Sequence, residues 1–260
     1  MKENLKLTTW NVNSIKARRE YVALYLDEHR PDIFCVQELK MPTEKVPLDL
    51  FQERGYQVEI FGQPRWNGVL IASKGNITAV HKGLPSVDQG QSRLIACETM
   101  GLKLVNLYCP QGSSADSPKF VYKKQFYDRL IQWVAESYSN DDDLIVTGDF
   151  NIAPEAVDLY DVNKFTNVPT YHPEELIRWK QLLDWGLVDL GREHIPRGDY
   201  TFWDYRAGSF QRNLGLRIDH FLGTPHMIAK VKSVNVILDF RKKKNGLTPS
   251  DHAPVELVLE

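Results

Sequence analysis

Short apolar runs alternating with polar positions recur along most of this chain, at a spacing that suits strands lying against a core on at least one face. They predict strands at 5–12, 32–37, 56–61, 68–73, 76–81, 93–98, 102–108, 143–148, 216–222, 232–238 and 254–259. Apolar positions three and four residues apart predict helices near 18–29, 44–54, 118–138 and 173–185. Strands outnumber helices, and several neighbouring strands are close enough to form antiparallel hairpins. The longer helices fall between strand groups, which indicates mixed sheets covered by helices rather than a doubly wound parallel sheet. Pattern alone reaches the α/β class.

Composition narrows the class. With 260 residues and 42% hydrophobic content the chain can bury one substantial core, and no Pro/Gly/Ser-rich linker or low-complexity segment divides it. One domain over 1–260 is therefore expected, probed at both ends by motifs that belong to one site. The start, Met1-Lys2-Glu3-Asn4, has no signal-peptide apolar stretch, and no run approaches the ~18 residues of a membrane span. Cys35, Cys97 and Cys109 lie in apolar runs, odd in number and without metal-ligand spacing, so reduced buried thiols and a cytoplasmic location are expected. A net charge of −2 argues against coating nucleic acid by bulk charge, but one positive face would suffice for an enzyme acting on it. Candidate backbone contacts are Arg241 to Lys244, Lys119 with Lys123 and Lys124, and Arg206, Arg212 and Arg217. Asp141-Asp142-Asp143 reads as a polar turn.

The chemistry gathers at strand ends. Thr147-Gly148-Asp149-Phe150-Asn151 follows a buried run and projects a carboxylate and an amide; Ser250-Asp251-His252 sets a carboxylate beside an imidazole just before another strand. Leu7 to Ser14 brings Asn11 and Asn13 one residue apart, and Pro31 to Gln37 ends in Glu38. Cleaving a phosphodiester at neutral pH needs cationic help on the non-bridging oxygens, a positioned water and a proton for the leaving oxygen. Glu38 is the best single ligand for a hard cation, with Asp251 and Asn13 as companions; oxygen-rich surroundings favour Mg²⁺, or Mn²⁺, over Zn²⁺.

Six motifs in order (around Asn11, Glu38, Tyr108, Asp149, Asp219 and His252) resemble the exonuclease III family of metal-dependent abasic-site endonucleases, within the deoxyribonuclease I-like superfamily. The similarity runs from Leu5 to Leu259. It implies a four-layer sandwich, two packed mixed sheets flanked by helices, with the site at one edge of the pair. It implies Asp149 as the carboxylate that handles the attacking water, Asn151 and Asn11 as amides that orient it, and Asp149 and Asn151 also among the metal-side residues. It implies His252 as a phosphate ligand partnered by Asp219, and Tyr108 as a phosphate-facing phenol. An Asp held by amide donors is expected to stay ionised; His220, beside Asp219 but on the opposite strand face, reads as structural. Phe202, Leu216 and Ile218, with Trp203 beside them, map onto the apolar wall that receives a sugar without its base. Arg206 falls where family members insert a side chain into the duplex, and Lys123 and Arg93 align with basic DNA-side residues.

The activity implied is a DNA-repair phosphodiesterase cutting 5′ to abasic sites, with 3′-phosphodiesterase or phosphatase and possible 3′–5′ exonuclease activity. The expected partner is double-stranded DNA with abasic sites or blocked 3′ ends, met by a monomer without a membrane. Two alternatives stand beside it: a same-fold phosphoesterase for a small or lipid phosphate, and a non-catalytic lesion-binding protein. Against the first stand the apolar trio and Trp66-Asn67-Gly68-Val69; against the second, the presence of Glu38, Asp149, Asp219 and Asp251.

Overall fold

Central strands buried on both faces set the layers of the computed structural model, which describes residues 4–87 and 90–260. The opening Met1 to Glu3, read above for a leader stretch, lies outside them. In chain order the elements begin with β1 (Leu5–Asn11), α1 (Arg19–His29), β2 (Ile33–Gln37), α2 (Asp49–Gln52), β3 (Gln57–Phe61), β4 (Val69–Ser73) and β5 (Thr78–Lys82). Next come β6 (Leu94–Thr99), β7 (Leu102–Tyr108), α3 (Pro118–Ser137), β8 (Leu144–Asp149), α4 (Val162–Phe165) and α5 (Pro173–Trp185). The chain closes with β9 (Val188–Asp189), β10 (Asp219–Gly223), β11 (Val231–Val236) and β12 (Val255–Leu259).

The strands form two six-stranded mixed sheets, ordered β11-β12-β1-β2-β4-β3 and β5-β6-β7-β8-β10-β9. Only β1–β2 and β7–β8 pair in parallel; the other pairs are antiparallel. Ile33 and Cys35 of β2 face the second sheet and pack with Leu104, Ile145 and Phe221, while Phe34 and Val36 face Tyr21 and Tyr25 of α1. On the far side, Val105, Leu107 and Val146 meet Phe126, Tyr127 and Leu130 of α3 and Trp179 and Leu182 of α5. Three apolar seams between four layers result, the sandwich that the resemblance implies.

Ser117 caps α3, accepting from Phe120 N at 3.1 Å with Pro118 in the first turn, and His172 caps α5 with Glu175 completing a capping box. The helix expected at 44–54 is interrupted: a 3₁₀ turn covers Thr43–Lys45, Pro47 follows, and only Asp49–Gln52 is α-helical. The strand expected at 216–222 begins at Asp219, because Leu216 instead bridges to Phe202 and Leu159. The two-residue β9 is too short for any periodicity to announce. No helix among the described residues is long and apolar enough to cross a membrane, and Cys35, Cys97 and Cys109 are free and buried.

Polar side chains also cross the sheet-sheet seam. Asn106 of β7 donates from Nδ2 to Val36 O at 3.1 Å and Leu70 O at 2.8 Å, both in the other sheet. Gln37 Nε2 donates in return to Asn106 Oδ1 at 2.6 Å and to Thr9 Oγ1 at 2.9 Å. All three side chains are fully buried, so each bond is made where water cannot substitute. The staple lies one residue from Glu38 and two from Tyr108, at the edge where the parallel strands end.

Asn106→Leu removes both donors and leaves Gln37 with one fewer acceptor. A loss of about 2–4 kcal/mol in urea unfolding is expected, with Gln37→Leu added to it recovering part of the loss; an unfolding midpoint equal to wild type would show that the staple contributes nothing.

Candidate active site

Parallel strands deliver their C-terminal residues to one edge, and the antiparallel partners deliver their N-terminal ones to the same place. β1 ends at Asn11, β2 runs into Glu38, β7 ends at Tyr108 and β8 at Asp149; Asp219 opens β10 directly opposite Asp149, and His252 precedes β12. Gly148 allows this approach: it takes φ +135°, and a Cβ there would sit 2.0 Å from Leu107 O.

Asn11 joins the two sheets. Its Nδ2 donates to Glu38 Oε1 and to Asp149 Oδ2, both at 2.9 Å, while its Oδ1 accepts from Asn13 N at 3.0 Å. Asn151 supports Asp149 differently from the expectation, through its backbone: its N–H donates to Asp149 Oδ1 at 2.9 Å, and its side-chain amide turns away to Cys109 O. His252 Nδ1 lies 2.8 Å from Asp219 Oδ2, and its Nε2 is 3.7 Å from Asp149 Oδ2. The Phe202 ring centre lies 4.9 Å from that of His252. Asn13 Nδ2 donates to Asp251 Oδ1 at 3.0 Å.

Burial is the largest influence on Asp149 and, helped by the Asp219 charge, pushes its carboxyl up to about 7 against the opposing pull of His252 and Asn11. Desolvation thus works against the amide donation expected to keep it ionised. Burial also works to lower His252, but the Asp219 and Asp149 carboxylates overcome it and raise the imidazole to about 10. Glu38 is pushed up by burial yet held below its ordinary value by the Lys40 ammonium and by Asn11. Burial, then the charges of Glu38 and Asp149, keep the Tyr108 phenol protonated. His220 is driven down to about 4 by burial and by Arg217; its Nε2 contacts Ile152 O, the structural part expected.

Lys40 went unread in the sequence, although it stands two residues after Glu38. Its Nζ sits 2.6 Å from Glu38 Oε2 and 2.5 Å from Asn13 Oδ1. An ammonium held by these oxygens marks the spot as cation-seeking, and the surrounding donors (Glu38, Asn13, Asp251) are hard oxygens with no thiolate, which fits a metal of the Mg²⁺ or Mn²⁺ kind. Ligand atoms of Asp149, Asp219 and His252 also lie within 4.8 Å of one another. Residues with positive φ cluster here: Asn13 at 47°, Ser14 at 90°, Glu38 at 53°, Lys40 at 52° and Asn151 at 52°. Such backbone costs energy and persists where the surroundings over-determine it, typically at working sites.

Glu38, Tyr108, Asp149, Asn151, Asp251 and His252 line a cavity of about 490 Å³ that also carries Phe202, Leu216 and Ile218. Tyr160, Phe165 and Leu214 add to this apolar lining and were not singled out in the sequence, where they look like any other apolar position. Arg93 stands in an adjoining groove, its guanidinium 4.9 Å from the Tyr108 ring centre. Arg206 is exposed at a loop tip and paired with Asp204 at 2.7 Å.

Several expectations are corrected. Trp203 does not line the cavity: it is buried, its indole N–H donating to Asn213 Oδ1 at 3.1 Å. Lys123 is not a DNA-side residue: it is wholly buried, ion-paired with Glu175. Arg217 is buried between Asp158 and Asp189, and Arg241 is buried against Tyr205 and Phe210, so neither can reach a phosphate backbone.

Comparison with known proteins places this geometry. The family model described as Endonuclease/Exonuclease/phosphatase family matches residues 8–252. The chain is 31% identical to exodeoxyribonuclease III of Haemophilus influenzae, covering 96% of this chain and 98% of that protein. It superposes with a TM-score of 0.92 on a 3′ phosphatase from Neisseria bound to a product DNA hairpin, 40% identical, over 98% of this chain and 99% of the other. An AP endonuclease from Archaeoglobus fulgidus gives a TM-score of 0.93 at 36% identity, over 98% and 99% of the two chains. With its carboxylates, amides and His252–Asp219 pair assembled at the shared edge of two mixed sheets, the chain belongs to the endonuclease/exonuclease/phosphatase family, in its exonuclease III branch.

Proposed function

We propose that this chain is a DNA-repair phosphodiesterase that cleaves the backbone of double-stranded DNA 5′ to abasic sites and clears phosphate and other blocked 3′ ends, in the presence of Mg²⁺. One observation carries the reading: the apolar wall and the charged groups share a single cavity, with Phe202 4.9 Å from His252, the juxtaposition of sugar and phosphate that a nucleotide lacking its base would present. The relatives named above, an exodeoxyribonuclease, a 3′ phosphatase and an AP endonuclease, support it.

In this reading Asp149 Oδ2, oriented by Asn11, accepts the proton of a water as its oxygen bonds to phosphorus, and the bond to O3′ breaks with O3′ taking a proton from solvent to leave as a hydroxyl. His252, cationic and held through Nδ1 by Asp219, presents Nε2 to a non-bridging oxygen, and the neutral Tyr108 phenol donates to another. Glu38, Asp251 and Asn13 would hold the divalent ion, which supplies Lewis-acid polarisation of the phosphoryl oxygen when bound. Double-stranded DNA meets the enzyme as a monomer in the cytoplasm.

The direct experiment is a 5′-labelled duplex carrying one abasic site, assayed with and without Mg²⁺ beside an undamaged duplex and a duplex ending in 3′-phosphate. Incision at the abasic site is expected only with metal; an enzyme acting on none of these substrates would refute the proposal. Chelation should abolish the rate, and Glu38→Gln should raise the Mg²⁺ concentration needed for half-maximal rate, with excess metal partly restoring it; activity that persists in chelator would overturn the metal assignment.

Asp149→Asn removes the base while preserving shape. A kcat lowered on the order of 10²-fold or more is expected, with abasic DNA still bound; equal losses in binding and rate would make Asp149 a ligand for substrate instead.

The His252–Asp219 pair predicts the alkaline side of the pH profile. The imidazolium is present below a pKa of about 10 and is lost above it, so kcat/KM should fall there. In Asp219→Asn the main opponent of desolvation is gone, and the alkaline limb should move to lower pH. A limb that stays in place would detach His252 from the rate.

A further inference from the structure

Lys123 is fully buried in α3, on the stripe that also carries Phe120, Phe126 and Tyr127. Its Nζ donates to Asn151 O at 2.8 Å and to Gln111 O at 3.2 Å, and is ion-paired with Glu175 Oε1. Glu175, equally buried in the first turn of α5, accepts through Oε2 from Thr170 N at 2.8 Å and His172 N at 3.1 Å. Two buried charges thus reach four backbone groups on three separate loops, 109–113, 149–153 and 168–172.

Those three loops supply Gln111, Ser113, Asp149, Asn151, Pro169 and Thr170 to the wall of the active-site cavity. The loops also bond to one another, Ala153 N donating to Thr170 O at 2.9 Å. They are packed without slack: a Cβ on Gly112 would lie 3.3 Å from both Lys123 Cδ and Pro169 Cβ. Thr170 takes φ +99° and Asn151 φ +52°, conformations that external bonds must hold. The backbone of Asn151 links the pair to the chemistry: its C=O accepts from Lys123, and its N–H, on the other side of the same Cα, donates to Asp149 Oδ1.

Stability is a poor reason for such a pair. Removing an ammonium and a carboxylate from water costs several kcal/mol each, and apolar replacements of similar volume are often as stable. What apolar side chains lack is directed bonding to backbone groups. We propose that the Lys123–Glu175 ion pair is a positioning unit for the reaction, fixing the backbone of Asn151, and through it the Asp149 carboxylate, against the cavity wall at Thr170. It touches no substrate. The inference rests on Asp149 serving as the base proposed above, and its test separates the two.

The main variant is the double substitution Lys123→Met with Glu175→Gln, which leaves no unpaired buried charge and keeps an oxygen for Thr170 N and His172 N; Glu175→Gln alone is the second. Both are compared with wild type by thermal melting, by kcat and KM on the best substrate found for wild type, and by amide hydrogen exchange. In the double variant kcat should fall 10- to 100-fold, on the order expected for a displaced catalytic group, while KM stays within about twofold and the melting temperature within a few degrees. Exchange should quicken at 150–153 and 168–172 and stay unchanged in β7 and β8. Unchanged kcat with slow exchange in those loops would overturn the proposal. So would a raised KM at constant kcat, which would make Lys123 a substrate contact, or exchange quickened throughout the molecule, which would make the pair merely structural. If the double variant does not fold, the same readings on Glu175→Gln decide, and if neither folds, the pair is structural and the proposal fails. Wild type inactive on every DNA substrate would defeat the proposed function alone, because exchange at the two loops still reports on positioning.

Discussion

The register between the two sheets is the constraint on which the site depends. Glu38, Asn11 and His252 belong to one sheet and its loops, whereas Tyr108, Asp149 and Asp219 belong to the other, so the Asn11–Asp149, His252–Asp219 and His252–Asp149 distances are distances between sheets. Apolar packing in the seam is non-directional and would tolerate sliding by a fraction of a residue. The fully buried Gln37–Asn106 exchange would not, since hydrogen bonds in low dielectric are lost steeply with misalignment. Asn11 repeats the device at the surface of the seam, with one amide nitrogen shared between the carboxylates of Glu38 and Asp149.

Crowding of like charge is the second organising fact. Glu38, Asp149 and Asp251 line one cavity with Asp219 buried behind His252, and two cations, Lys40 and the imidazolium of His252, answer them from within the chain. The consequences diverge by neighbourhood. Glu38 has an ammonium at 2.6 Å and is held low, whereas Asp149 lies deeper, faces Asp219 and is pushed to about 7. Two carboxylates of similar intrinsic acidity are thereby separated, one held ionised and one titrating near neutrality.

Much of the chain's positive charge is spent inside the molecule. Lys123, Arg217 and Arg241, each expected at a DNA surface, are buried and hold loops or strand ends. Arg93 and Arg206 keep an aromatic or carboxylate partner but face accessible space beside the cavity. A net charge of −2 is then compatible with DNA chemistry, because one positive face is enough for an enzyme acting on it.

The α/β class, the order of the strands along the chain and the residue types at the strand ends were legible in the sequence pattern, since side-chain alternation and strand-end polarity are properties of neighbouring residues. The two-sheet sandwich followed only from the resemblance to a family. Even the burial of Lys123 left a trace: three residues after Phe120 and four before Tyr127, it lies on the apolar stripe of α3. Its partner Glu175, more than fifty positions away, left none. Which cation turns inward, which face Asn151 presents to Asp149, and how far burial outweighs hydrogen bonding at Asp149 were decided only by the tertiary structure. Each depends on desolvation and on distances of 3–4 Å between groups remote in sequence, such as Asn11 and Asp149 or Asp219 and His252, and no local pattern encodes those quantities.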